Sequence, residues 1–195
     1  MKPWQRIALG TALTAAVGSS LTVAGTAANA QPSTHHGAGR TAAVAPFHGN
    51  GESARVAANK RVVRAFVQDV LNNHHGDHAA RYLTSDIQWH GGSVGTVPGR
   101  DNVAGLMSSV TTSIPDIHAA EQDIFGQGDK VVVRLVVTGT QKGPLLGIPA
   151  SGRPVRWDAV DVYQLRNGKI SNEWAAEDFT AFLNDTGTYK APWIQ

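Results

Sequence analysis

The stretch 153-RPVRWDAVDVYQLRNGKISNEWAAED-178 reads as two amphipathic strands around Asn167-Gly168. Asn-Gly is the strongest short hairpin signal, because a type I′ turn needs positive φ at both central residues. A two-residue loop sets the register: Arg166 faces Lys169, Leu165 faces Ile170, Asp161 faces Trp174 and Trp157 faces Asp178. Alternation then groups Ile170, Asn172, Trp174, Ala176 and Asp178 on one face, with Ser171, Glu173, Ala175 and Glu177 on the other. On the first strand Val155, Trp157, Ala159, Asp161, Tyr163 and Leu165 form the apolar set. The expected pairing puts Asp161 and Asp178 on the buried side, among Trp157, Trp174 and Tyr163. A carboxyl group there needs a chemical reason.

Upstream of this hairpin the chain changes character several times. Residues 1–30 carry Lys2 and Arg6, an Ala/Leu/Val-rich middle and the small-residue end Ala28-Asn29-Ala30. This is the pattern of a secretory leader cut after Ala30, so the expectation is a secreted protein with no membrane partner once the leader is removed, a retained N-terminal anchor being the alternative. The leader holds two of the 17 basic residues and none of the 15 acidic ones, which leaves the rest formally neutral. No basic patch points to nucleic acid. The chain has no cysteine, which excludes thiol catalysis and disulfides.

Residues 31–53, rich in Gly, Ala, Pro, Ser and His, read as a disordered spacer. Val63, Phe66, Val67, Val70 and Leu71 then recur at helical spacing, predicting a helix from Ala54 to Asn72. A short helix over 77–83, a brief strand at Ile87–His90 and a helix after Gly99 follow. Segments 117–125 and 130–141 read as a second hairpin around Gly126-Gln127-Gly128-Asp129. With Gln127-Gly128 as its turn, His118, Ala120, Gln122 and Ile124 share a face with Val131, Val133, Leu135 and Val137. Arg134 falls on the opposite face, as a surface or subunit-interface ion pair. A last helix begins at Phe179, and 188–195 form a tail. Helices followed by long antiparallel strands give an α+β fold, a curved sheet wrapped around N-terminal helices and enclosing a blind apolar pocket.

At this point the chain resembles the SnoaL-like polyketide cyclases, many labelled ester cyclases, within the NTF2-like superfamily. The resemblance rests on Pro115-Asp116, Gly128-Asp129-Lys130-Val131, Gly139-Thr140, 147-GIPASGR-153, Asn167-Gly168-Lys169-Ile170, Trp174 and Asp178. It implies an NTF2-like cone over residues 54–187, a homodimer, and a cofactor-free cyclase closing a ring by intramolecular aldol condensation. It also implies an acid/base aspartate matching Asp178 and a histidine matching His90. The family's Gly-Thr-His reads Gly139-Thr140-Gln141 here, and its Glu-His-Trp reads Asn172-Glu173-Trp174.

The residues themselves keep alternatives open. Asp178 is placed to move protons, and equally to cap the helix beginning at Phe179. His90 could polarise a carbonyl. Trp174, Trp157, Asp161, His118 and Tyr163 are the candidate pocket residues for a small apolar molecule, and Asp161 also fits a hydrogen-bonded buried polar group. A non-catalytic binder, or a hydrolase in which a carboxylate activates water, would use the same pocket. His74, His75 and His78 prompt a metal check, the pair His74/His78 having i, i+4 spacing, but Gly76 interrupts the helix and no nearby acid completes a set. No metal site is expected.

Overall fold

The computed structural model describes residues 52–194. The leader and most of the spacer, including His35, His36 and His48, lie outside the described residues. Among those described, no helix is long and apolar enough to cross a membrane.

Helix α1 (Ala54–Phe66) starts at Ser53, whose side chain accepts from the Val56 backbone N–H at 3.2 Å. It buries Val56, Asn59, Val63 and Phe66 on one stripe and continues to Asn72 as a wider π-helical turn. A 3₁₀ segment, Gly76–Arg81, leads into β1 (Leu83–His90) and the short β2 (Thr96–Pro98). Helix α2 (Arg100–Ser113) buries Val103, Met107 and Thr111. Then come β3 (His118–Gln127), β4 (Lys130–Thr140), β5 (Pro154–Arg166), β6 (Lys169–Glu177) and helix α3 (Phe179–Thr186).

The six strands form one sheet in the order β2-β1-β6-β5-β4-β3, so the α+β cone expected from the sequence is the fold of the chain. All pairings are antiparallel except β1 with β6, which is parallel because the chain crosses the sheet between them. The inner face of β4 and β5 packs against α1 and α2 in one core containing Phe66, Val103, Leu135 and Tyr163. Gly139 shows how tight this core is. A Cβ there would lie 2.3 Å from Ile114 Cγ2 and 3.2 Å from Ile117 Cα. Gly139→Ala is therefore expected to cost about 1–3 kcal/mol by overpacking, read from urea unfolding.

Two bulges correct the expected registers. Asn167 (φ 53°) and Gly168 (φ 73°) make the turn as read, and Leu165 faces Ile170. Beyond that pair the ladder slips by one residue, and Gln164 faces Asn172, Tyr163 faces Glu173 and Asp161 faces Ala175. Ser171 is the extra residue. Its hydroxyl donates to the Gln164 carbonyl at 3.1 Å, and Asn172 Nδ2 donates to Gln164 Oε1 at 3.2 Å. Ile170 and Ser171 are thus both buried, after which the buried set is Glu173 and Ala175. Because strand side chains alternate, one inserted residue exchanges the faces of everything after it.

In the other hairpin the turn is Gly128-Asp129, with Gln127 facing Lys130, and a bulge falls between Glu121 and Asp123. His118 and Ala120 therefore leave the face of Val133 and Leu135, whereas Ile124 stays on it. Arg134 lies outside, paired with Asp123 at 2.8 Å.

Candidate functional site

On the inner face, β5 presents Trp157, Ala159, Asp161 and Tyr163, and β6 presents Glu173, Ala175 and Glu177. Asp161 lies opposite Ala175, and Glu173 and Glu177 flank that alanine two residues to either side. At about 3.4 Å per residue each glutamate is about 7 Å along the strand from the centre. The small Ala159 and Ala175 leave space into which three carboxyl groups converge. They line a cavity of about 90 Å³ whose other walls include Phe66, Trp89, Met107, Leu135 and Phe182. Leu146 and Phe179 also line it, and Leu146 is 43% exposed, which marks the rim. No lysine or arginine among the described residues lines the cavity.

The absence of a compensating cation governs the chemistry. Burial penalises the charged form of each acid, and each carboxylate opposes ionisation of the next. Glu177 is pushed up to about 7, chiefly by burial, against the opposing hydrogen bond from the Trp157 indole N–H. Glu173 is pushed up to about 8, by burial first and the Glu177 charge second. Asp161 is raised well above the ordinary range by burial, then by Glu177 and Glu173. The Tyr163 hydroxyl, likewise raised by burial, donates to Asp161 Oδ2 at 3.4 Å. Asp161 Oδ1 and Glu173 Oε2 are buried with no hydrogen-bond partner. Near pH 7 such a site holds an ionising Glu177 beside a protonated Glu173 and an Asp161 whose charged form is disfavoured. Base and hydrogen-bond donors are then present together.

Of the residues singled out from sequence, Trp157, Asp161 and Tyr163 line this cavity. The others do not. Asp178 is exposed, and its carboxylate caps α3 by accepting from the Ala181 N–H at 3.0 Å. Trp174 points outward through the Ser171 slip, stacks on His90 (5.4 Å, 14°) and lies under Lys130 Nζ at 4.8 Å. His90 is on the outer face of β1 because its neighbour Trp89 takes the inner one, and His90 Nδ1 meets the Thr96 hydroxyl at 3.1 Å. His118 is exposed and pairs with Thr138. Trp174→Ala is accordingly expected to cost about 1 kcal/mol or less and to leave ligand affinity of the cavity unchanged, measured by calorimetry.

Glu173 and Glu177 were the acids that sequence reasoning missed. The two faces of β6 are nearly equally polar, and Trp174 tips an unbulged reading towards the wrong one. Gln141, at the position of the family histidine, is fully buried outside the cavity. It donates to Pro149 O at 3.1 Å and accepts from Ser151 N at 3.2 Å, clamping the loop between β4 and β5.

Comparison with known proteins agrees with this fold. Residues 61–186 match the SnoaL-like polyketide cyclase family. No curated protein matches the chain. Among solved structures, a candidate SnoaL-like polyketide cyclase from Jannaschia sp. CCS1 is similar at 22% identity and TM-score 0.66, covering 72% of this chain and 99% of that one. AclR, a candidate hydroxylase from Streptomyces galilaeus, is 21% identical with TM-score 0.60, covering 69% and 98%. IdmH, a candidate polyketide cyclase from Streptomyces antibioticus, is 24% identical with TM-score 0.56, covering 66% and 98%. At these identities the likeness is one of fold.

Proposed function

We propose, from the premise that the chain belongs to the SnoaL-like polyketide cyclase family, that it is an acid/base enzyme for a small apolar carbonyl compound. The observation that carries this reading is three carboxyl groups with upward-shifted pKa sharing a largely apolar cavity lined by no lysine or arginine among the described residues. Glu177 is the base. Its carboxylate takes a proton from carbon adjacent to the substrate carbonyl, and protonated Asp161, oriented through Oδ2 by the Tyr163 hydroxyl, donates from Oδ1 a hydrogen bond to the enolate oxygen. The enolate carbon attacks a second carbonyl of the same molecule, a C–C bond forms, and Glu177 returns its proton to the new alkoxide. Protons balance over the cycle, and no redox step occurs.

The cavity of about 90 Å³ sets the scale of the substrate. An apolar cavity of ~150 Å³ holds benzene. A ring-sized substrate therefore requires the rim side chains Leu146 and Phe179 to swing aside.

Proton abstraction can be tested without the natural substrate. With cyclopentanone in D₂O, the protein is expected to accelerate loss of the α-proton NMR signals, with a rate rising through about pH 7 as Glu177 ionises. Saturable ketone binding without exchange would reduce the site to a binder of apolar molecules and overturn the catalytic reading. Oxygen from labelled water in a product would instead identify a hydrolase.

A further inference from the structure

A second cluster of chemistry-bearing side chains lies where α1 ends, and none of its members lines the cavity. The π-helical turn carries Asp69, the chain reverses at His74 (φ 61°), and the 3₁₀ segment carries His75 and His78 back over it. His75 N–H donates to the Asp69 carbonyl at 3.2 Å, and His78 N–H to the His75 carbonyl at 2.8 Å. His74, one half of the pair with ligand spacing in the sequence, is engaged elsewhere, its Nε2 2.9 Å from the Ile117 carbonyl. The missing acid is supplied from upstream by Asp69.

We propose that Asp69, His75 and His78 form a structural site for a divalent transition-metal ion of the zinc class. His75 Nδ1 lies 2.8 Å and His78 Nδ1 3.1 Å from Asp69 Oδ1, and the three ligand atoms all lie within 4.8 Å of one another. A tetrahedral ion with bonds of about 2.0–2.1 Å separates its ligand atoms by about 3.3 Å. Both acid–histidine edges are thus within about half an ångström of what the ion requires.

The surroundings hold this arrangement in advance. Tyr82 O–H donates to Asp69 Oδ2 at 2.9 Å, which orients the carboxylate with Oδ1 facing both imidazoles and Oδ2 a further 3.2 Å contact of His78 Nδ1. Gly76, between the two histidines, is pressed against α2. A Cβ there would meet Ser108 Cα at 2.6 Å and Met107 O at 2.8 Å, so the turn is anchored on backbone. His75 is 49% exposed, which leaves the fourth position to water. Two imidazoles and one carboxylate favour Zn²⁺, Ni²⁺ or Cu²⁺ over Mg²⁺ and Ca²⁺. An ion here clasps the end of α1 to the following turn in a chain that has no cysteine for a disulfide. One group opposes it: Arg81 Nη1 lies 3.1 Å from His78 Nδ1 and must swing out.

Calorimetric titration of the EDTA-treated chain with ZnCl₂ tests the site. The expected result is one Zn²⁺ whose affinity falls about 10–100-fold in Tyr82→Phe, falls further than that in H75A/H78A, and rises in Arg81→Ala. It is retained when His35, His36 and His48 are replaced, which separates the site from the N-terminal histidines. Zinc is expected to raise Tm in the parent but not in H75A/H78A, and that control also shows whether the variant folds. Substituted Co²⁺ is expected to give the visible absorption of a tetrahedral ion. No zinc binding, an unchanged isotherm in H75A/H78A, or equal competition by Ca²⁺ would overturn the proposal.

Discussion

Between pH 4.5 and pH 8 the protein is expected to lose stability steadily as the pH rises, the reverse of ordinary acid denaturation. Glu173 and Glu177 titrate at about 8 and about 7 in the folded chain but near 4.5 once unfolded. For carboxyl groups raised on folding, the native state holds protons that the unfolded chain has released, so the slope of unfolding free energy with pH is negative. Their contribution is fully present below about pH 4.5 and is lost as the pH passes through about 7 and then about 8. With both protons retained the slope reaches about 2.7 kcal/mol per pH unit, and Asp161 adds in the same direction. Asp69 acts on the other side. Held down at about 2 chiefly by the hydrogen bond from His75, it contributes stability that is lost only as pH falls from about 4 towards 2. The stability maximum is thus expected near pH 4–5, below the usual range of about pH 5–8. Urea unfolding followed by tryptophan fluorescence at half-unit pH steps measures it. Glu173→Gln, which keeps shape and removes the titration, is expected to flatten the curve and to be more stable than the parent at pH 8. A flat parent curve from pH 4.5 to 8 would show that the three acids are solvated and the cavity is not what holds them.

Local rules made most of the fold legible in the sequence. The Asn167-Gly168 turn, the helical stripe from Val63 to Leu71 and the strict alternation of β5 each rest on interactions within a few residues, and each stands in the structure. Trp157, Asp161 and Tyr163 reached the inner face because nothing disturbs β5. The failures come from single inserted residues. Ser171 and the bulge beside Gln122 each displace a register by one, and alternation carries that displacement to the strand's end. A bulge is stabilised by partners distant in sequence. Here Asn172 reaches Gln164, which donates to Asp129 Oδ2 at 2.8 Å in the other hairpin turn. No pattern local to β6 encodes that relay. The Asp69 cluster was illegible for a related reason. Its acid sits within a helical stripe and its histidines beyond a break, and only the reversal at His74 joins them.

Exchange of Glu177 for glutamine is expected to lower turnover by about 10²–10⁴-fold, whereas Asp178→Asn is expected to leave it unchanged. The two residues are adjacent, so the comparison reads the phase of β6 directly. Glu177 faces the cavity, where a carboxylate near pH 7 is half ionised and a carboxamide can accept no proton. Asp178 faces solvent as the N-cap of α3, a position where asparagine serves as well as aspartate, so its replacement should cost less than about 0.5 kcal/mol. The pH profile adds an independent readout. The parent rate is expected to rise through about 7, and in Glu177→Gln that limb disappears rather than shifting. Glu173→Gln should instead keep the limb near 7, since burial is what raises Glu177 and the Glu173 it replaces is already protonated there. Tyr163→Phe is expected to reduce the rate while leaving the limb near 7, because the hydroxyl that orients Asp161 is lost and the base is not. Equal losses in Glu177→Gln and Asp178→Asn would mean that β6 runs through without the Ser171 slip. The acid facing the substrate would then be the one at the end of the strand.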